Sequence, residues 1–573
     1  MEDTEMKEHY YNHDNIVIIN LSGEHVTTVH QLINSDEFTI FLERYVWYLK
    51  DHAHSLYAFL CKDHADLDAV VKDLKNICNL LIMMNYDKVD VPYAKLPKVF
   101  LEIIEQGYQF WRRMERYSVM EESSSDEAHI KHFIAVDTGV NAIALDLYRT
   151  IQQNVQGSAD NVYRQLQAGT NASLLVAPFP SPLPSAYDAL KGIPFIKLIM
   201  LRTPLILHPK SSKRTNKFVD ADHNPIADFH NADDEYFCYP AKVGETLIWC
   251  YFHRNYMTSC TACANLFALA KPEEMAGKKP DAILLFGCQD GTEDTTFYHD
   301  TENDLWVGKV SDAPEIDYFG YTKKAILTLH NLVMMQRGWL PIHGAMVNVY
   351  FKDGTKKGIM FMGDSGAGKS ETIEALSHLA DDVIDHQETV FDDMGTLHLD
   401  KEGKIRAQGT EIGAFVRLDD LDKGTAYKDL DRSIFFNPEK ANARVVLPAV
   451  DYDTVITDHE VDCFLYANNY TDARGMHLFQ TKEEAEPVFK EGRRFALGTT
   501  QEKGLSTTFF ANPFGPMQRQ EECTVLIDRI FTELFKQNIP VGEVYTCLGL
   551  PEKGNGGIEE GAQALLDFVQ KKK

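Results

Sequence analysis

The stretch Gly363-Asp-Ser-Gly-Ala-Gly-Lys-Ser-Glu371 carries the spacing G-x-x-x-x-G-K-S/T, and the apolar run Gly358-Ile-Met-Phe-Met362 leads straight into it. A backbone poor in Cβ atoms can wrap a phosphate with its N–H groups, while the helix that follows presents the positive end of its dipole. Gly363, Gly366 and Gly368, with Asp364, Ser365 and Ala367 between them, supply that backbone; Lys369 is placed to reach the outer phosphates, Ser370 to complete a Mg²⁺ shell, and Glu371 opens the helix. The run before the loop reads as a buried strand and Thr372-Ile-Glu-Ala-Leu-Ser-His-Leu-Ala380 as the helix, so the context is strand, loop, helix.

Such a loop also needs a carboxylate to hold the metal, at the end of a neighbouring strand. Phe391-Asp392-Asp393-Met394 follows at a suitable distance, behind a candidate strand in Val383-Ile-Asp-His-Gln-Glu-Thr-Val390. Upstream, His343 opens the alternating segment after Trp339, and Lys323-Lys324 precedes an apolar helix. By themselves these residues are as readily a structural histidine and a solvated helix start.

Around this centre, segments such as Asp281-Ala-Ile-Leu-Leu-Phe-Gly-Cys288 and Gly358–Met362 read as buried strands alternating with helices, which argues for α/β architecture. Residues 35–120 read as helices, because 35–60 and 67–84 place apolar side chains at helical spacing. The acidic, serine-rich run 120–129 reads as a solvated loop. The Pro- and Ser-rich run 169–190 reads as a linker or long loop. Three segments are expected: a mainly helical N-terminal region (1–170), a substrate-binding α/β lobe (171–325) and a nucleotide-binding lobe (326–573).

A chain of 573 residues exceeds what a single core usually supports. With 85 acidic against 57 basic residues, the formal charge of -28 disfavours nucleic acid and anionic membrane as partners. The N-terminus lacks the basic and apolar regions of a secretory signal, and the apolar stretch 193–207 is broken by Lys197, Arg202 and Pro204; the expected location is the cytoplasm. Ten scattered cysteines are then ordinary buried thiols, Cys260-x-x-Cys263 included, and the sequons at Asn171 and Asn469 carry no meaning.

The order of these pieces resembles phosphoenolpyruvate carboxykinase of the ATP-using type over about residues 210–573. Tyr318-Phe-Gly-Tyr-Thr-Lys-Lys324 is similar to that family's Y-x-G-E-M-K-K, His343 to the histidine of M-H-C-S-A-N, and Asp392-Asp393 to G-D-D-E. Gly409-Thr-Glu411-Ile-Gly413-Ala-Phe-Val-Arg417 is similar to F-E-G-G-C-Y-A-K, and Ala441-Asn-Ala-Arg444 to E-N-T-R. The resemblance implies a two-lobed carboxykinase-like fold with a phosphate-loop lobe. It also implies a metal site, for Mn²⁺ or Mg²⁺, built from Lys324, His343 and Asp393, with a second Mg²⁺ at Ser370.

By the same resemblance Lys323 and Arg444 neutralise the transferring phosphoryl group, Tyr318 lines the small-molecule site, and Arg417 lies on the nucleotide. A lysine ligates a metal only when neutral, so Lys324 needs a lowered pKa. The basic run Ser211-Ser-Lys213-Arg214-Thr-Asn-Lys217 stands where the family grips oxaloacetate. Arg214 is the expected carboxylate partner, since a guanidinium fork suits a carboxylate better than an ammonium. The implied reaction takes oxaloacetate and ATP to phosphoenolpyruvate and CO₂, a gluconeogenic step.

The chain departs from the family in several places. Met394 replaces the glutamate after the paired aspartates, and Ala562-Gln-Ala564 replaces the threonine-arginine-alanine that contacts adenine, which leaves the nucleotide open. The wording of 363–371 and of Ile342-His-Gly-Ala-Met-Val-Asn-Val-Tyr350 resembles HPr kinase/phosphorylase instead. The second expectation is therefore a kinase of the same superfamily, acting on a hydroxyl of a small molecule or protein with Asp392 or Asp393 as base. The third is a non-catalytic nucleotide-binding scaffold whose N-terminal helical region holds a protein partner.

Overall fold

A computed structural model describes residues 10–13, 15–23, 25–89, 96–122, 128–158, 168–212, 218–231, 235–364, 366–379, 383–418, 430–497, 503–550 and 556–570. The chain is mixed α/β and divides into two compact units, residues 1–179 with 194–208, and residues 180–193 with 209–573. The boundary expected after residue 170 lies inside the first unit, and the one expected after 325 falls within a continuous helix, Phe319–Gln336.

The first unit joins a helical layer to five neighbouring strands of a sheet. Strands β1 (Tyr10–His13), β2 (Ile16–Asn20), β3 (Glu115–Glu121), β4 (Ala172–Ala177) and β5 (Phe195–Leu201) lie in that order. β2, β3 and β4 run parallel. Helices α1 (Val29–Asn34), α2 (Asp36–His52), α3 (His54–Cys61), α4 (Leu67–Leu81) and α5 (Pro97–Arg113) connect β2 to β3, and α6 (Ala128–Gln156) connects β3 to β4.

The helix starts follow from local chemistry. Ser35 caps α2 by accepting from the Phe38 N–H at 3.1 Å, with Asp36 and Glu37 in the first turn and Lys50 and His52 in the last, so charges at both ends oppose the helix dipole. Tyr45, Leu49, Leu74, Leu81, Phe100 and Ile103 bury the inward faces.

Two expectations are corrected here. Residues 115–121 form a strand rather than continuing the helices, and the run taken as a linker begins with β4, whose Ala172–Val176 are all buried. A strand covered on both faces has no polar alternation, so its apolar run carries no signal that separates it from the Pro-rich segment after it. The 120–129 run ends β3 and begins α6, and its residues 123–127 lie outside the described set.

In the second unit, strands Tyr236–Val243, Thr246–His253, Ala282–Cys288, Leu305–Ser311, Thr295–Asp300 and Val219–Asp220 follow one another across one sheet. A nine-stranded sheet, counted among the described residues, runs His459–Glu460, Ile405–Gly409, Met394–Leu399, Leu340–Phe351, Lys356–Met362, Cys463–Asn468, Val541–Tyr545, Met476–Leu478, with Ile384–Phe391 also on Leu340–Phe351. Helix Phe319–Gln336 packs on Ala282–Cys288 and Leu305–Ser311 and also on Leu340–Phe351, and is buried nearly all round.

Nine of the ten cysteines are buried and all ten are free, and burial pushes the Cys260 and Cys263 thiols up. Among the described residues no helix is long and apolar enough to cross a membrane.

Candidate functional site

The strand Lys356–Met362 is buried from Gly358 onward, pairs antiparallel with Leu340–Phe351 and parallel with Cys463–Asn468, and delivers the glycine loop at its end. Helix Lys369–Leu379 then starts at the lysine. Gly366 and Gly368 have φ of +76° and +97°, which side chains rarely adopt. A Cβ on Gly368 would stand 2.7 Å from the Thr546 side chain.

The loop is pinned from outside its own segment. The fully buried Asn469 donates from Nδ2 to Gly366 O at 2.9 Å and to Phe495 O at 3.0 Å, and its Oδ1 accepts from Phe495 N at 2.8 Å. Thr546 Oγ1 donates to Ala367 O at 2.7 Å. Gly363 N donates to His343 O at 3.0 Å, which ties the loop to the histidine strand. Arg494, buried, sets its Nε 3.1 Å from Asp364 Oδ2. Lys369, also buried, lies along the loop with Nζ donating to Asp364 O at 3.3 Å, and Glu371 is exposed.

Ser370 Oγ donates to Asp392 Oδ1 at 2.8 Å, across from the loop helix to the end of Ile384–Phe391. The next residue, Asp393, faces another set of partners. Its Oδ2 lies 2.6 Å from Lys323 Nζ and its Oδ1 3.1 Å from His343 Nε2. Lys323 Nζ also lies 2.9 Å from the buried Glu411 Oε1. Adjacent aspartates therefore serve the loop on one side and the lysine-histidine pair on the other.

His343 Nδ1 is 2.7 Å from Ala511 O, and a carbonyl only accepts, so the Nδ1 proton is fixed there. Phe510 and Ala511, with φ of 53° and 46°, are consecutive left-handed residues without being glycine; such strain persists where the surroundings enforce it. A neutral His343 then presents its Nε2 lone pair to the Asp393 carboxylate, and only a proton or a cation between them makes that contact favourable.

Two cis ligands each about 2.1 Å from one ion stand about 3 Å apart, so the pair can hold a divalent cation. Among the described residues no group of three His, Cys, Asp or Glu side chains is arranged around one point. An ion here would keep several waters or substrate oxygens, the habit of Mg²⁺ and Mn²⁺ rather than of a structural zinc.

Burial would raise Asp393, but Lys323 and His343 outweigh it and hold the carboxyl well below its usual range. Burial dominates at Asp392 and lifts it, despite Ser370 and Lys369. Burial likewise pushes Glu411 up, to about 7, against the pull of Lys323. For Lys323 burial acts downward, and the Asp393 and Glu411 charges reverse it, so the ammonium keeps its proton.

The ammonium paired with Asp393 belongs to Lys323 and is held protonated, and the next residue, Lys324, sets its Nζ 5.0 Å from the centre of the Phe514 ring.

Tyr318, just before the helix, hydrogen-bonds the Arg444 side chain and lies in the field of Lys323. Arg444 pairs across the ladder with Arg417, with its guanidinium 5.9 Å from the Phe415 ring centre. The structure thus gathers Lys323, His343, Lys369, Ser370, Asp392 and Asp393 in one neighbourhood, with Tyr318 and Arg444 reaching it through Lys323. Ser365, and Arg214 with the rest of 213–217, lie outside the described residues.

Sequence reasoning missed Asn469, Thr546, Arg494 and the Ala511 carbonyl. Only Asn469 left a local signal, as a polar residue directly after the apolar strand Cys463–Asn468. Set against known proteins, the chain matches no family model and no curated protein sequence.

Proposed function

We propose that this chain is a nucleotide-dependent phosphoryl-transfer enzyme of the phosphoenolpyruvate carboxykinase type, two-lobed, acting on oxaloacetate with ATP and Mg²⁺ or Mn²⁺. The observation that carries the reading is the division of labour between neighbours: Asp392 bonded to the loop serine, Asp393 bonded to Lys323 and His343.

The loop amides and Lys369 bind and orient the polyphosphate, and the Gly366 and Gly368 backbone lets it approach closely. Ser370 and Asp392 would hold a Mg²⁺ on the phosphates, and His343 with Asp393 a second ion near the acceptor. Bound there, the ions supply charge where an enolate and a transferring phosphoryl group become negative. Lys323, kept protonated, adds a fixed positive charge beside Asp393, and Arg444 adds another beyond Tyr318. The Ala511 carbonyl holds a His343 proton on Nδ1, so Nε2, 3.1 Å from Asp393 Oδ1, is the nitrogen that would meet a cation.

A hydroxyl kinase of the same superfamily is the second reading. It is favoured by the opposite displacement of the two aspartates, since environments that push neighbouring carboxyls apart separate a proton acceptor from a permanent charge. The test is a screen of ATP, GTP and pyrophosphate against oxaloacetate and hydroxyl acceptors with each metal, with Lys369→Ala as the blank. Oxaloacetate-dependent phosphoenolpyruvate and CO₂ support the first reading. Nucleotide consumption with an alcohol acceptor and no CO₂ supports the second. Saturable nucleotide binding without turnover would leave only the scaffold.

A further inference from the structure

Arg494 stands on the strand Arg493–Leu497, which pairs antiparallel with Lys503–Thr507. Its neighbours in sequence fix where it lies. Phe495 exchanges both backbone hydrogen bonds with the Asn469 side chain that also holds Gly366 O, so this strand and the glycine loop share one brace. Arg493 is half-buried and pairs with Glu491, its Nε 3.1 Å from Oε1. Successive side chains of a strand alternate, and Arg494 turns inward to Asp364, with Nε 3.1 Å from Oδ2 and the two side chains only 8% and 11% exposed.

Within 363–370 the ionisable side chains are Asp364 and Lys369. Lys369 Nζ rests 3.3 Å from the Asp364 carbonyl, so its ammonium stands beside the residue whose carboxylate cancels it. By itself the loop is therefore neutral, in a chain of formal charge -28 that repels polyphosphate. Water screens the exposed Glu371, whereas a carboxylate as buried as Asp364 keeps most of its field.

We propose, resting on the reading of 363–371 as a nucleotide loop, that Arg494 acts through Asp364 as the counter-charge that makes this loop selective for polyphosphate. With the Asp364 carboxylate neutralised, the Lys369 ammonium and the loop amides present net positive charge, and each added phosphate of a ligand meets attraction rather than cancellation. The pair sets the sign of the field, while Asn469 and Thr546 hold the shape of the loop. A pair kept only as a brace weakens binding when either partner is lost. A pair that sets the field gives the two losses opposite signs.

The test is calorimetric titration of the full-length chain with ATP, AMP and pyrophosphate. Arg494→Met should weaken ATP and pyrophosphate about tenfold, the effect of one partly screened unit charge, and AMP much less. Asp364→Asn leaves the guanidinium uncompensated and should tighten ATP severalfold, although it breaks the same pair and lowers the urea midpoint. The double variant should return to within about threefold of the unaltered chain, and Arg494→Lys, which keeps the charge, should keep most of the affinity. If Arg494→Met does not fold, as judged by circular dichroism, the direction of the Asp364→Asn change and the double variant decide. Weaker ATP binding in Asp364→Asn, or a double variant that binds about tenfold more weakly than the unaltered chain, overturns the proposal and leaves the reading of the loop intact. An unaltered chain that binds neither ATP nor pyrophosphate overturns both.

Discussion

Replacing Asn469 with Ala removes three hydrogen bonds at a site with no exposure, two donated to the Gly366 and Phe495 carbonyls and one accepted from the Phe495 amide. A net ~1 kcal/mol for each, with desolvated partners left behind, gives a loss of about 2–4 kcal/mol. The phosphate loop also loses its tie to the strand end that holds Gly366, so binding must order the loop anew, and nucleotide affinity should fall about tenfold. Asn469→Asp keeps the shape but turns a donor into an acceptor facing two carbonyls, and should be the worse of the two. Titration with a fluorescent ATP analogue and urea unfolding measure the two effects. Asn469→Ala within about 0.5 kcal/mol of the unaltered chain, with unchanged nucleotide affinity, would refute the bracing argument.

Lys323→Met leaves Asp393 and Glu411 as uncompensated buried carboxylates and should cost about 3–5 kcal/mol in urea unfolding; adding Glu411→Gln should restore part of it, a coupling a double-mutant cycle reads directly. Ser370→Ala removes the hydroxyl on Asp392 and should lower kcat of the proposed phosphoryl transfer at saturating nucleotide, with a larger rise in the Mg²⁺ needed for half-activity than in KM for ATP. Burial holds the His330 imidazole down at about 4, so on acidification the unfolded chain takes up this proton first. That stabilisation is complete above about pH 6.5 and is lost as pH falls toward 4, up to about 3 kcal/mol, and His330→Gln should flatten the unfolding profile in that window. In the first unit Asp137, fully buried, accepts from Thr170 Oγ1 and pairs with Arg202, so Asp137→Ala should lower the thermal midpoint of that unit while leaving nucleotide titration unchanged.

The glycine loop between its strand and helix, and the paired aspartates at a strand end, were legible because each is a local pattern: a glycine spacing, a buried run, two adjacent carboxyls. The pairing of Lys323 with Asp393 and Glu411 was not, since the helix's rotation against its neighbours decides what its side chain meets. Asn469 reads in sequence only as part of a sequon. Its importance comes from residues 103 positions upstream and 26 downstream, a relation no window along the chain contains. Arg494 and Thr546 were hidden for the same reason. β4 was lost to composition, because a doubly covered strand lacks alternation and the prolines that follow it suggested a loop.

The left-handed pair Phe510-Ala511 has a consequence for how the site keeps track of protons. Its carbonyl decides which nitrogen of His343 is protonated, and the peptide of that same histidine accepts the amide that opens the phosphate loop. A strained turn distant in sequence is therefore a tautomer selector wired to the glycine loop. Glycine at 511 would ease the backbone but loosen the carbonyl, so here conformational comfort and a defined protonation state oppose each other, and the residue in place favours the latter.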